Sequence, residues 1–165
     1  MKRFFFIIFF ISVAFLTTAA YHVFKPQWIL FRKGENHYLK KEYSKAIIYY
    51  ELLTNFDLKK TEVLRKLGIS YIVTGRYNKA SSVYEKLIKI EPENQEAVIK
   101  LAYVYAEQGK FNAAIDLLKL LLETGPDTRL ARINLARTLT WSGRFEDAIN
   151  EYRKVLGEIN ETMYR

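Results

Sequence analysis

Residues 61–94 read TEVLRKLGISYIVTGRYNKASSVYEKLIKIEPEN, and the same 34-residue plan is written four times along the chain without an insertion or deletion. Ala46, Ala80, Ala114 and Ala148 lie one period apart, as do Tyr43, Tyr77, Phe111 and Phe145. Gly75, Gly109 and Gly143 keep the same interval, and so do Pro92 and Pro126. A fixed period of this size predicts stacked helical hairpins, each of which buries its apolar face only against a neighbour. Function is then expected on a repeated surface rather than in a catalytic pocket.

Each repeated residue type has a physical job. A small residue in the first helix of each hairpin (Gly34, Gly68, Ala102, Ala136) admits close approach of the helix beside it. The Ala46, Ala80, Ala114 and Ala148 series does the same for the second helix. Gly75, Gly109 and Gly143 follow the first helix, where a residue with positive φ commonly ends it. Proline near the close of a repeat stops the second helix and admits a short turn. Five of the seven glycines fall at these two repeat positions, which removes any need for a phosphate-binding loop to explain them.

The spacing Leu64-x-x-Leu67-Gly68-x-x-Tyr71, followed by Ala80-x-x-x-Tyr84 and Pro92, resembles the tetratricopeptide repeat at each diagnostic position. The likeness extends over residues 27–158, in units 27–60, 61–94, 95–128 and 129–158, with a short tail at 159–165. It implies an all-α fold, a right-handed α-solenoid of four hairpins and eight antiparallel helices. First helices are expected near 28–40, 61–74, 95–108 and 129–142, and second helices near 43–56, 77–90, 111–123 and 145–158. The first unit departs most from the pattern, with Lys41 in the glycine position and Leu58 in the proline position.

The resemblance further implies that the first helices line a concave face on which partner peptides bind. Its facing positions carry Arg65, Ile69, Ile99, Tyr103, Ile133, Arg137 and Trp141, the expected contacts to a protein or peptide partner. Ile72, Glu96, Lys100, Glu107, Leu130 and Asn134 occupy facing positions too. Aromatic residues and Arg are the types most often found as binding hot spots. For Ile69, Ile72 and Ile133 a plain core role has an equal claim. The members of the family that clamp a partner's terminal carboxylate use Lys and Asn where this chain has Arg65 and Ile69, so that clamp does not carry over. The surface reads as suited to an apolar or amphipathic segment.

The N-terminal stretch reads differently. After Lys2 and Arg3, residues 4–24 contain no formal charge. As a helix they would extend about 31 Å, the thickness of a bilayer's hydrocarbon core. Residues 1–25 are therefore expected to be a membrane anchor, with a cleaved signal peptide as the alternative. Lys25, Pro26 and Gln27 serve as a short linker. The membrane is then a partner, with a single pass and the repeats on the extracytoplasmic, periplasmic side. An exported form after cleavage is the other localisation.

At the opposite end, Ile149, Tyr152 and Leu156 have no following unit of the pattern to cover them. An uncovered apolar edge tends to be an interface, so a homo-oligomer through the C-terminal edge is a further expectation.

Composition narrows the function classes. The net charge of +8 comes from 26 basic and 18 acidic residues. Without Lys2, Arg3 and Lys25 it falls to 23 against 18, or +5, and the charges are interspersed. No basic run has nucleic-acid motif spacing, so no nucleic-acid partner is expected. Cysteine is absent, which excludes disulfides and a thiolate nucleophile. The two histidines, His22 and His37, form no ligand or catalytic pattern, and no phosphate-loop, zinc-protease or nucleophile-elbow motif occurs. Neither enzyme activity, nor a cofactor, nor a metal is expected. The function that follows is a membrane-tethered adaptor that holds a partner protein in a cell-envelope complex. The alternatives are an accessory subunit of a polysaccharide-export, secretion or pilus machine, and a cytoplasmic regulatory or nucleic-acid-linked factor.

Overall fold

The computed structural model describes the backbone of residues 2–125 and 128–163, which leaves Pro126 outside the described residues. Eight α-helices and no strand occur among them: α1 Lys2–Leu39, α2 Tyr43–Leu53, α3 Lys60–Val73, α4 Tyr77–Ile90, α5 Gln95–Glu107, α6 Phe111–Thr124, α7 Arg129–Trp141 and α8 Phe145–Met163. The all-α class agrees with the repeat reading. Helix α2 stops three residues before its expected end, and α8 runs past 158 into the segment expected to be a tail.

The expected membrane span is not met. No helix among the described residues is long and apolar enough to cross a membrane. The apolar stretch is instead the leading part of α1, a single helix that carries on through Pro26 into the first repeat, so the linker expected there is helix as well. The side chains of Phe6, Phe9, Phe10 and Phe15 in that stretch remain largely exposed. The expectations of an anchor at 1–25, of a single-pass protein with extracytoplasmic repeats and of the membrane as partner fall with it.

The chain divides into two compact units, Met1–Val63 and Leu64–Arg165. In the first, α1 packs on α2. Gly34 is what permits it: a Cβ there would lie 2.9 Å from the ring of Tyr50. Tyr50 is fully buried with Ala46, Ile47 and Leu53, and its hydroxyl donates to Glu35 Oε1 at 2.5 Å. His37 stacks on Tyr49, with ring centroids 5.4 Å apart, and its Nδ1 lies 2.5 Å from Glu42 Oε2.

The second unit stacks α4, α5, α6 and α7 in succession, with α8 on α7. Its core is built from Val98, Ala102, Ala114, Ile115, Leu118, Leu135 and Leu139, all buried. The alanines at the repeat position, Ala80 and Ala114, have no exposed surface at all.

One device ends each first helix. Gly75, Gly109 and Gly143 have φ of 71°, 73° and 80°, and Lys41 adopts the same left-handed conformation at 59°. The amide after each donates to a carbonyl five residues back: Glu42 to His37, Arg76 to Tyr71, Lys110 to Tyr105 and Arg144 to Leu139, at 2.8–2.9 Å. Two later first helices are capped at their starts by side chains, Asn94 Oδ1 accepting from the Ala97 amide and Thr128 Oγ1 from that of Ala131. Such caps satisfy amides that have no partner within the helix.

Candidate functional site

A groove of about 500 Å³ runs over the second unit, walled by α5 and α7 and closed at one side by Ile72 near the end of α3. Helix α5 contributes Glu96, Ile99, Lys100 and Tyr103, and α7 contributes Leu130, Ile133, Asn134 and Arg137. The helical period explains the set. Residues 96, 99, 100 and 103 share one face of α5, and 130, 133, 134 and 137 share the equivalent face of α7. All nine lining residues stand at facing positions of the repeat.

The floor and the walls differ in character. Ile99 is buried and belongs to the core, so it forms the floor, whereas Leu130 is exposed on the rim. Asn134 is buried and donates from Nδ2 to the Leu130 carbonyl at 2.7 Å. Its Oδ1 is left to accept from Arg137 Nη2. The Arg137 guanidinium lies against two adjoining aromatic rings, 5.6 Å from the centroid of Tyr103 and 5.3 Å from that of Trp141. The two rings lie 6.3 Å apart. Arg137 Nε is enclosed and has no hydrogen-bond partner among the described residues.

A carboxylate completes the cluster. Glu107, one turn beyond Tyr103, acts on the hydroxyls of Tyr103 and Tyr77. Burial, with Glu107 adding to it, pushes Tyr103 up to about 12, while the positive charge of Arg137 pulls the other way. Burial and Glu107 likewise raise Tyr77. Both phenols therefore stay neutral at physiological pH. Beyond them, Ala106, Glu107, Phe111 and Trp141 bound a smaller hollow of about 200 Å³.

Of the seven residues singled out in the sequence, the structure brings five together. Ile99, Tyr103, Ile133 and Arg137 line the groove, and Trp141 adjoins it through Tyr103 and Arg137. Arg65 and Ile69 lie half-buried on α3 and are not in its lining. Tyr77 was not singled out, because the repeat assigns that position to packing. Its signal was the hydroxyl, which Phe111 and Phe145 lack at the same repeat position. No cluster among the described residues has the ligands to hold a metal ion.

Comparison with known families gives matches to the tetratricopeptide repeat over residues 37–59, 74–132 and 128–158. No curated protein matches the chain. Among solved structures, MamA MSR-1 is 29% identical, with a TM-score of 0.62 over 80% of this chain and 76% of that one. A further MamA crystal structure is 25% identical, with a TM-score of 0.67 over 75% and 72% of the two chains. A tetratricopeptide repeat protein from Parabacteroides merdae ATCC 43184 shares the fold at 20% identity, with a TM-score of 0.73 over 81% of this chain and 52% of that one. By its repeat matches and by its fold, the chain belongs with the tetratricopeptide repeat proteins.

Proposed function

We propose that the chain is a protein-interaction scaffold whose groove between α5 and α7 takes up an amphipathic segment of a partner protein. The observation that carries this reading is the guanidinium of Arg137, set against the adjoining rings of Tyr103 and Trp141 at the end of an apolar trough. Ile72, Ile99, Ile133 and Leu130 offer surface to apolar side chains of the segment. Arg137, half-buried on the groove wall, offers a charge-assisted hydrogen bond to a carboxylate or main-chain carbonyl. An arginine held by rings and by Asn134 loses little freedom on binding, which favours a directional contact. Glu96 and Lys100 on the rim supply charges of both signs, suited to fixing the direction in which the segment lies.

The test is affinity capture of bound protein, identified by mass spectrometry, compared between the native chain and two double variants. Tyr103→Ala with Arg137→Ala removes the cluster. Lys86→Ala with Lys119→Ala alters exposed positions on α4 and α6, away from the groove. Loss of a true hot spot costs about 2 kcal/mol or more, roughly thirtyfold in affinity. The first pair is expected to abolish capture of the partner with helicity intact, and the second to leave it unchanged. The opposite pattern would place the binding surface elsewhere.

A further inference from the structure

Helix α8 carries a second surface, independent of the groove. Phe145, Ile149, Tyr152 and Leu156 form a stripe along it, at 62%, 49%, 39% and 58% exposure. One repeat earlier, on α6, the counterparts of Ile149 and Tyr152 are Ile115 and Leu118, which are 1% and 0% exposed. The pattern thus places core-type residues where no described element covers them. Their spacing of four, three and four residues is that of a coiled-coil seam.

We propose that this stripe pairs antiparallel with the same stripe of a second copy of the chain. Three features select that occupant. First, Ala148 and Val155, which flank the stripe on one side, are buried, and α8 packs there on α7 of its own chain. The stripe is therefore open to a single incoming helix. Second, the positions flanking it on the other side are Glu146 and Arg153, opposite charges two turns apart, neither of which has an ion pair among the described residues. Third, the stripe is its own complement when reversed. With Phe145 against Leu156 of the second copy and Ile149 against its Tyr152, Glu146 of each copy falls beside Arg153 of the other.

Two-fold symmetry makes that ion pair twice, as an isologous interface requires. A parallel pairing would set Glu146 and Arg153 against the Ala148 and Val155 side and form neither pair. The four side chains offer on the order of 400 Å² per copy, about half of what a standard specific interface buries on each partner. The association is therefore of the weak, concentration-dependent kind.

The absence of cysteine makes the geometry directly testable. Phe145→Cys and Leu156→Cys are prepared separately in the full chain, then mixed and oxidised. Antiparallel pairing is expected to give a disulfide-linked dimer in the mixture and little in either variant alone. Residues 145 and 145 of the two copies would be about 16 Å apart, beyond the reach of a disulfide. In sedimentation of the cysteine-free chain, Glu146→Arg and Arg153→Glu are each expected to weaken dimerisation several-fold, and the double exchange to restore it. Circular dichroism checks that each variant is folded. Cross-linking of either cysteine variant alone, a native chain that is monomeric at all concentrations, or a double exchange no better than the single ones would each overturn the proposal. The monomer outcome would leave the stripe to a different protein.

Discussion

Gly68 on α3 lies so close to Tyr84 on α4 that a Cβ added to the glycine would fall 2.7 Å from the phenol ring. The ring cannot swing aside, because Tyr84 is almost completely buried. Alanine gains about 1 kcal/mol over glycine within a helix, but forced overpacking costs about 1–3 kcal/mol. Gly68→Ala is therefore expected to lower the thermal midpoint. With Tyr84→Leu already in place the clash is gone, and the same change should become neutral or stabilising. Thermal unfolding of the four proteins in this cycle checks it, and a glycine effect of the same sign in both backgrounds would contradict the packing described.

A second prediction concerns the helix ends. Lys41 occupies the left-handed conformation that glycine occupies in the other three repeats. A side chain there costs about 1–2 kcal/mol, part of which glycine gives back through the greater freedom of its unfolded chain. Lys41→Gly should raise stability by up to about 1 kcal/mol, and Gly75→Val should lower it by at least as much. No atom lies within 4 Å of a Cβ built on Gly75, so the loss there would be backbone strain alone. Denaturant midpoints measure both.

Alkaline pH offers a third. The Tyr103 phenol, raised by burial and by Glu107 to about 12 in the folded chain, ionises near 10 when exposed. A group raised on folding contributes stability that is complete below its unfolded value and is lost as pH climbs through its folded one. The unfolding midpoint is thus expected to fall between pH 10 and 12, less steeply in Tyr103→Phe. Absorbance titration of tyrosinate should show Arg137→Ala delaying ionisation further, since Arg137 favours the phenolate.

Acid pH tests the contact between α7 and α8. Arg132 Nη1 donates to Glu151 Oε2 at 2.8 Å, with both side chains mostly buried. Burial alone raises Glu151, but the bonds from Lys154 and Arg132 outweigh it and leave its pKa below the ordinary 4.5. Its contribution is therefore present above that value and lost as pH falls through the folded one. Glu151→Gln is expected to flatten the acid limb of the stability curve, and Arg132→Ala to cost about 1–3 kcal/mol at neutral pH.

The hairpins were legible in the sequence because one small residue per helix and one glycine per turn recur at a fixed interval, and each has a local cause. Gly68 and Ala80 announce close approach; Gly75 announces a helix end. The residues of the groove were legible for the same reason, since Ile99, Tyr103, Ile133 and Arg137 follow from the period once the facing positions are assigned. What periodicity does not encode is contact between repeats. Tyr77 joins the site through Glu107, thirty residues away, and neither position alone carries that information. The N-terminal stretch misled for another reason. Hydropathy registers the apolar side chains of residues 4–24, yet no helix among the described residues is long and apolar enough to cross a membrane.

Helix α5 packs against α4, α6 and α7, whereas α8 packs on α7. Such an arrangement ranks the helices by how much must open before each is released. Amide hydrogens of α5 should exchange with solvent slowest in this unit, and those of α8 fastest, with α7 between them. The groove thus has one wall on α5 and the other on α7, the helix on which α8 packs. Departure of α8 and α7 would carry Arg137 and Trp141 away while α5 stayed folded, so binding competence can vanish well before the unit as a whole unfolds.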